Sequence, residues 1–320
     1  MAIGRKITRI LIKTLKYAFV LLVLLCVFVV IAVNSENCQT WLAHKAASYL
    51  SSELGTKVEI DKVKLHFVKT ADLEGLFIED PEHDTLLYSK SVSVKLENFD
   101  YGKQTLKVSE VTLNSAKARI IRYKGKKDFN FQNLINYFSS SDTSTSSPSN
   151  WKITYGKLVL DNVDFIYRNE RHDISVSENM NYNNIHVSGV SGEFSNIKII
   201  ENKIFATVTG LKAKEQCGIV LENLTGNIKV SSTQLACMDF KLKTENSFVK
   251  GGFSFNYKEW VDYEDFINKV KIRALLLNET KVNFKDIAYF VRELNGLDKE
   301  IYFSGSVNGF INNLKGEKIK

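Results

Sequence analysis

The side chains that could do chemistry are few and scattered. The histidines are His44, His66, His83, His172 and His186. No two have metal-ligand spacing on one helix, and HExxH, GxxxxGK[ST], GxGxxG and GxSxG are all absent. His83-Asp84 and Arg171-His172-Asp173 are the only His–Asp neighbours. Adjacent residues on a strand point to opposite faces, so neither pair orients an imidazole, and both read as surface turns. Glu79-Asp80 and Glu264-Asp265 read as solvated turns. The cysteines (Cys26, Cys38, Cys217 and Cys237) lack the CxxC spacing of a zinc ribbon or a thioredoxin-type centre. Cys217 and Cys237 fall in consecutive strand regions, where they either face each other across a hairpin or are two separate buried thiols. Asn223-Leu224-Thr225 and Asn278-Glu279-Thr280 match a glycosylation triplet, which matters only in a host that glycosylates. These residues imply no enzyme, no cofactor and no metal site.

With chemistry absent, the elements themselves must carry the function. The chain has 320 residues, 44% hydrophobic and 25% charged, so it folds. Its 20 Phe and 13 Tyr favour β-structure, and 2 Pro exclude Pro-rich classes. The net charge is +7, but five of the 43 bases sit in residues 1–16, which hold no acid. The other 38 bases face 36 acids, so the body has no nucleic-acid-binding excess.

Residues 17–33, YAFVLLVLLCVFVVIAV, carry no charge over 17 positions. As a helix they are about 25 Å long, the short end of a bilayer span. The basic tail before them places the N-terminus in the cytoplasm and the body across the membrane. A cleaved signal peptide is the competing expectation. It fits less well, because the run is long and Ile31-Ala32-Val33-Asn34-Ser35 is a poor cleavage site. Cys26 within the run reads as apolar filler.

Residues 34–55 follow as an amphipathic helix with a stripe at Leu42, Ala46, Tyr49, Leu50 and Leu54, stopped by Gly55. From 56 to 320 the period is two. Val58/Ile60 and Val63/Leu65/Phe67 are separated by a phase shift at Asp61-Lys62 that implies a bulge. Val92/Val94/Leu96, Val111/Leu113, Leu158/Leu160, Val163/Phe165 and Phe253/Phe255 continue a series of about fifteen strands, expected as an antiparallel meander. Two helical patches interrupt it, at Phe131–Phe138 and at Lys285–Leu294 with Asp286 as N-cap. The Ser-rich stretch 139–149 reads as a loop. VTLNSAKARI (111–120) echoes LVLDNVDFIY (158–167), read as strand, Asn/Asp turn, strand.

The anchor, the helix 39–50 and the run Leu54–Val63 resemble the start of AsmA-like proteins, and more narrowly the Bacteroidetes-type TamB family of translocation and assembly module subunits. Leu73–Asp80 with Asp84–Tyr88, Asn130–Leu134, Asp286–Phe290, Phe303–Gly309 and Asn313–Gly316 fit the same order. The resemblance implies a mainly β fold. It consists of a transmembrane helix, an amphipathic helix and an elongated, curled antiparallel β-groove with short helices. It further implies an inner-membrane protein with a periplasmic body that carries phospholipid acyl chains in outer-membrane biogenesis. A second implied role is helping an Omp85-type barrel partner insert outer-membrane proteins. Family members are longer, so the chain is expected to be a fragment, a truncated gene product or one segment of a larger assembly. Lipid-groove positions are expected at Val63, Leu65, Phe67, Val92, Val94, Leu96, Val163, Phe165, Phe253 and Phe255. Ordinary core of an anchored β-sandwich gives the same period.

Overall fold

The computed structural model describes residues 35–66, 69–100, 102–133, 152–200 and 203–320. The expected tail 1–16, anchor 17–33 and loop 139–149 lie outside them, as do Cys26 and Phe67. Among the described residues no helix is long and apolar enough to cross a membrane.

Helix α1 (Glu36–Leu54) starts where the Ser35 hydroxyl accepts from the Cys38 N–H at 3.2 Å. It stops at Gly55, whose φ of +66° suits a residue without Cβ. Its inner face joins Ala47, Leu50 and Leu54 to Val58, Ile60 and Ile78. Hydrogen bonds fix which face that is. Gln39 Oε1 accepts from the Leu65 N–H at 2.8 Å, and Ser51 Oγ from the Val58 N–H at 2.8 Å. The stripe expected from sequence is therefore corrected. Leu50 and Leu54 face the sheet, while Leu42 and Tyr49 are 51% and 63% exposed.

The rest is one open, curled sheet. β1 (Val58–Glu59) and β2 (Lys62–His66) both pair with β3 (Thr70–Glu79). The path continues through β4 (Thr85–Asp100), β5 (Thr105–Arg122), β6 (Lys152–Asn169), β7 (Asn184–Ile200) and β8 (Lys203–Glu215). β9 (Val220–Ser231), β10 (Gln234–Thr244), β11 (Phe248–Asn256) and β12 (Lys271–Leu276) follow. A ribbon of β13 (Lys281–Asn283) and β14 (Glu300–Tyr302) branches from β11, and the path ends on β15 (Gly305–Phe310) and β16 (Asn313–Glu317). The path from β1 to β16 holds 13 strands. At ~4.8 Å per strand that is about 60 Å of ladder.

The meander has one exception. β5 and β6 are parallel, from Thr105↔Lys152 to Arg122↔Asn169. Parallel neighbours need a long crossover, and the non-alternating stretch 123–151 is that crossover. The helical patches are also shorter than expected. Of Phe131–Phe138 only the residues up to Asn133 are described. In the second patch α3 is Phe284–Ala288, preceded in the chain by a 3-10 turn (Trp260–Asp265) and α2 (Phe266–Lys269). Asn283 caps α3, accepting from the Lys285 N–H at 2.8 Å, so Asp286 is not the N-cap.

The largest correction concerns the echoed Asn/Asp positions. They are not turns between strands. Ser115 (φ +48°) lies inside β5 and Asn162 (φ +54°) inside β6. Gly75 (+66°), Gly189 (+61°), Gly210 (+65°) and Asp239 (+52°) occupy the same level of β3, β7, β8 and β10. A left-handed residue breaks the pleat and re-aims the next side chain. Left-handed residues recur along the path, with none in β4 or β9; pairing survives and the sheet acquires a crease. Side chains of adjacent strands satisfy the disturbed backbone. The Gly189 N–H donates to Asp164 Oδ1 at 3.2 Å, Asn162 N–H to Ser191 Oγ at 3.0 Å, and Gly210 N–H to Thr225 Oγ1 at 3.2 Å. The phase shift expected at Asp61-Lys62 is the near end of this line. Asp61 stands against Gly75, where an added Cβ would come within 1.8 Å of Asp61 Oδ2.

The crease makes opposite predictions for two substitutions. Gly75→Ala should lower stability by about 1–2 kcal/mol, the cost of a Cβ in the left-handed region. Ser115→Gly should raise it by about 0.5–1 kcal/mol, that relief less the added chain entropy. Guanidinium unfolding of both variants checks this, and shifts of the same sign would remove the crease from the account.

Candidate functional site

The register sets the apolar residues in rows. Val63, Leu73, Val92, Leu113 and Leu160 oppose one another in sequence across β2 to β6. The next row runs Leu65, Ala71, Val94, Val111, Leu158, Phe194 and Val208. Beyond the crease Ile78, Leu87, Ala118, Phe165 and Val187 form another, and Val163 opposes Val190. Further along the sheet, Ala206, Ile228, Cys237, Phe253 and Ala274 align, as do Ile204, Val230, Leu235, Phe255 and Ile272. Leu96 opposes Val108 past a bulge.

The nine described groove positions thus share one face. That face is continuous because each crease residue reverses the alternation, so Leu160 and Val163 in β6 stay on the same side. Leu113, Leu160, Phe194 and Val208 belong to it as fully as the expected positions. Their alternation was visible in sequence, but pairing alone put them in the rows.

The face is only half covered. Val63, Val92, Val163 and Val208 are buried. Val94, Leu96, Phe165, Phe253 and Phe255 are half-buried, and Leu65 is 44% exposed. Among the described residues every strand belongs to the same sheet, so no second sheet lies over it. Coverage comes at the margins. α1 packs on the β1 edge through Val58 and Ile78. Near β11 a chain of rings closes one strand end, with Phe253–Phe255 centroids 5.1 Å apart and Phe255–Phe266 5.3 Å.

On the Leu65 side of the crease the opposite face is charged, whereas beyond it Leu86, Ile121 and Ile166 are buried there. Lys95 Nζ lies 2.7 Å from Glu110, and Lys157 Nζ lies 3.5 Å from Glu110 and 3.1 Å from Glu193, giving alternating charges over β4 to β7. The Lys95 hydrogen bond, opposed by burial and aided by the charges of Lys95 and Lys157, holds the Glu110 carboxyl below its usual range.

The strand ends opposite Leu65 are tied by polar networks. Asp80, read from sequence as solvated, is fully buried. It accepts from Tyr123 Oη at 2.6 Å and Asn130 Nδ2 at 3.0 Å, which pins the β5–β6 crossover. Burial first and the Asp80 carboxylate second push the Tyr123 phenol up. Burial disfavours charge on the neighbouring Asp84, but its bonds from Arg119 and the Thr85 N–H hold its carboxyl low. Asp265 ends a 3-10 turn, where its Oδ1 accepts an exposed hydrogen bond from Asn268 Nδ2 at 2.7 Å. A second network joins Asp286 to Thr244 Oγ1 at 2.6 Å and Asn246 Nδ2 at 2.9 Å. No group of three His, Cys, Asp or Glu able to hold a metal occurs among the described residues.

Cys217 and Cys237 are free. Cys217 lies in the turn after β8, whereas Cys237 opposes Ile228 well along β9. Eight residues of strand from Val220 to Ile228 put the thiols about 26 Å apart, far beyond disulfide reach.

The class defined by the described residues is a single creased β-sheet with one apolar face that is only half covered. No family model, curated protein or solved structure matches the chain.

Burial pushes the thiols of Cys237 and Cys217 up to about 11. A raised value keeps them protonated through pH 9, and the thiolate is the reactive form. Iodoacetamide at pH 8.5 should therefore label Cys38 well before either, and guanidinium should abolish the difference. Equal native labelling in peptide mass spectra would contradict the burial.

Proposed function

We propose that this protein is an inner-membrane-anchored β-groove whose periplasmic body carries phospholipid acyl chains in support of outer-membrane biogenesis. The observation that carries the reading is the run of apolar rows from β2 to β12, half-exposed and, among the described residues, without a second sheet over it. A single sheet with one apolar face must cover it. Acyl chains do so without specific partners, each buried CH₂ contributing ~0.8 kcal/mol. The uncharged run 17–33 behind five basic residues supports the anchor and its orientation.

A second reading, a scaffold for outer-membrane β-proteins working with an Omp85-type barrel, has its own support. All five residues of β16 are exposed, and among the described residues one of its edges pairs with no strand, which would suit a client strand. The anchored β-sandwich loses ground, because one sheet accounts for every described strand.

Native mass spectrometry with lipid extraction, on the full chain from a Gram-negative host, tests the reading. Several phospholipids should co-purify. Phe165→Asp and Leu160→Asp should each lose them while circular dichroism stays unchanged. A folded, lipid-free wild type would overturn the conduit and leave the scaffold.

A further inference from the structure

Helix α1 has two apolar faces, and the sheet uses only one. Gln39, Ala47 and Leu54 are buried against the sheet. On the other side Trp41, Leu42 and Tyr49 are 57%, 51% and 63% exposed. At ~100° per residue Tyr49 stands ~80° from Trp41 and ~20° from Leu42, so the three form one arc. Lys45 lies within that arc, its Nζ 5.9 Å from the centre of the Trp41 ring. A helix that is apolar on two sides needs two apolar neighbours.

The chain ahead of the helix indicates the second neighbour. The uncharged run ends at Val33, two residues before the cap Ser35. A tryptophan, a tyrosine and a lysine with a long apolar stem, directly beyond such a run, are the residues that settle at a bilayer headgroup layer. Lys45 supplies the charge that anionic lipids attract.

We propose that α1 lies along the phospholipid surface of the membrane, with Trp41, Leu42 and Tyr49 in the interface and Lys45 at the headgroups. The proposal rests on the membrane-anchor reading of residues 17–33. The helix is about 28 Å long. Lying flat, it sets the β1–β2 edge of the sheet, and so the first apolar row at Val63, about one helix thickness from the lipid. The groove then starts at the membrane instead of standing away from it on a stalk.

The full chain, reconstituted in phosphatidylcholine–phosphatidylglycerol vesicles with brominated acyl chains, tests this through tryptophan emission. The chain has 3 Trp, so the signal of Trp41 is the difference between wild type and Trp41→Phe. Bromolipid should quench wild type, and Trp41→Phe should lose most of that quenching. Leu42→Asp/Tyr49→Asp should lose it too, with Trp41 still present. Equal quenching of wild type and Trp41→Phe, or none in either, would overturn the interfacial helix, as would seating on a protein partner that shields Trp41 from bromolipid. Alkaline carbonate extraction of the same vesicles reads the anchor separately. Retention with an unquenched Trp41 fails the helix alone. Release fails the anchor whatever Trp41 reports.

Discussion

Everything in this molecule hangs on the backbone ladder between neighbouring strands. In a two-layered domain a strand is held by its neighbours and by the layer across the core. Here every described strand belongs to one sheet, so a strand is held mainly by the two beside it. Such a structure is close to a one-dimensional array, in which stability adds up from unit to unit. Two features follow. The side chains buried within the sheet include small ones, Ala116, Ala206 and Ala236, beside larger ones such as Ile121, Val208 and Phe240 that neighbouring strands enclose. Others on the apolar face, Phe165, Phe253 and Phe255, are only half-buried.

The crease is what makes that face usable across its whole width. A flat strand of 18 residues such as β5 would have to keep strict alternation along its full length. The left-handed Ser115 divides it into two runs with opposite parity, Val111/Leu113 and Ala116/Ala118, both on the apolar side. The same device recurs in β6, where Leu158/Leu160 passes to Val163/Phe165 around Asn162. Single strands could not adopt it alone, since a lone bulge breaks pairing with both neighbours. Adopted by strand after strand, it costs backbone strain at Ser115, Asn162 and Asp239, offset in part by the side-chain bonds that meet the displaced N–H groups.

This explains what the sequence revealed and what it hid. Period-two alternation identified the strands and the residues that line the face, because both follow from local pleating. The phase breaks at Asn114-Ser115 and Asp161-Asn162 were visible too, but a turn and a coordinated crease leave the same local mark. Only the register of the neighbouring strand separates them, and register is not local. The parallel β5–β6 pair was hidden for the same reason: the long stretch after Arg122 announced an interruption without saying which strand came next. For α1 the error had another cause. Its two faces are both apolar, and the one that meets the sheet was chosen by polar bonds from Gln39, Thr40 and Ser51. Hydropathy gives such bonds no weight.

The uncovered face then limits what the protein can be for. Soluble proteins seldom expose continuous apolar patches beyond a few hundred Å². Rows that reach across about 60 Å of ladder exceed that by geometry alone. A rigid partner would have to match a curled, creased surface over its whole width. The opposite face, with its Lys95–Glu110–Lys157–Glu193 sequence of charges, is by contrast ready for water. One face of the sheet is largely apolar and half-exposed, while the other carries these charges over β4 to β7 and buries Leu86, Ile121 and Ile166 beyond the crease. That asymmetry, more than any single residue, is what the proposed acyl-chain conduit rests on.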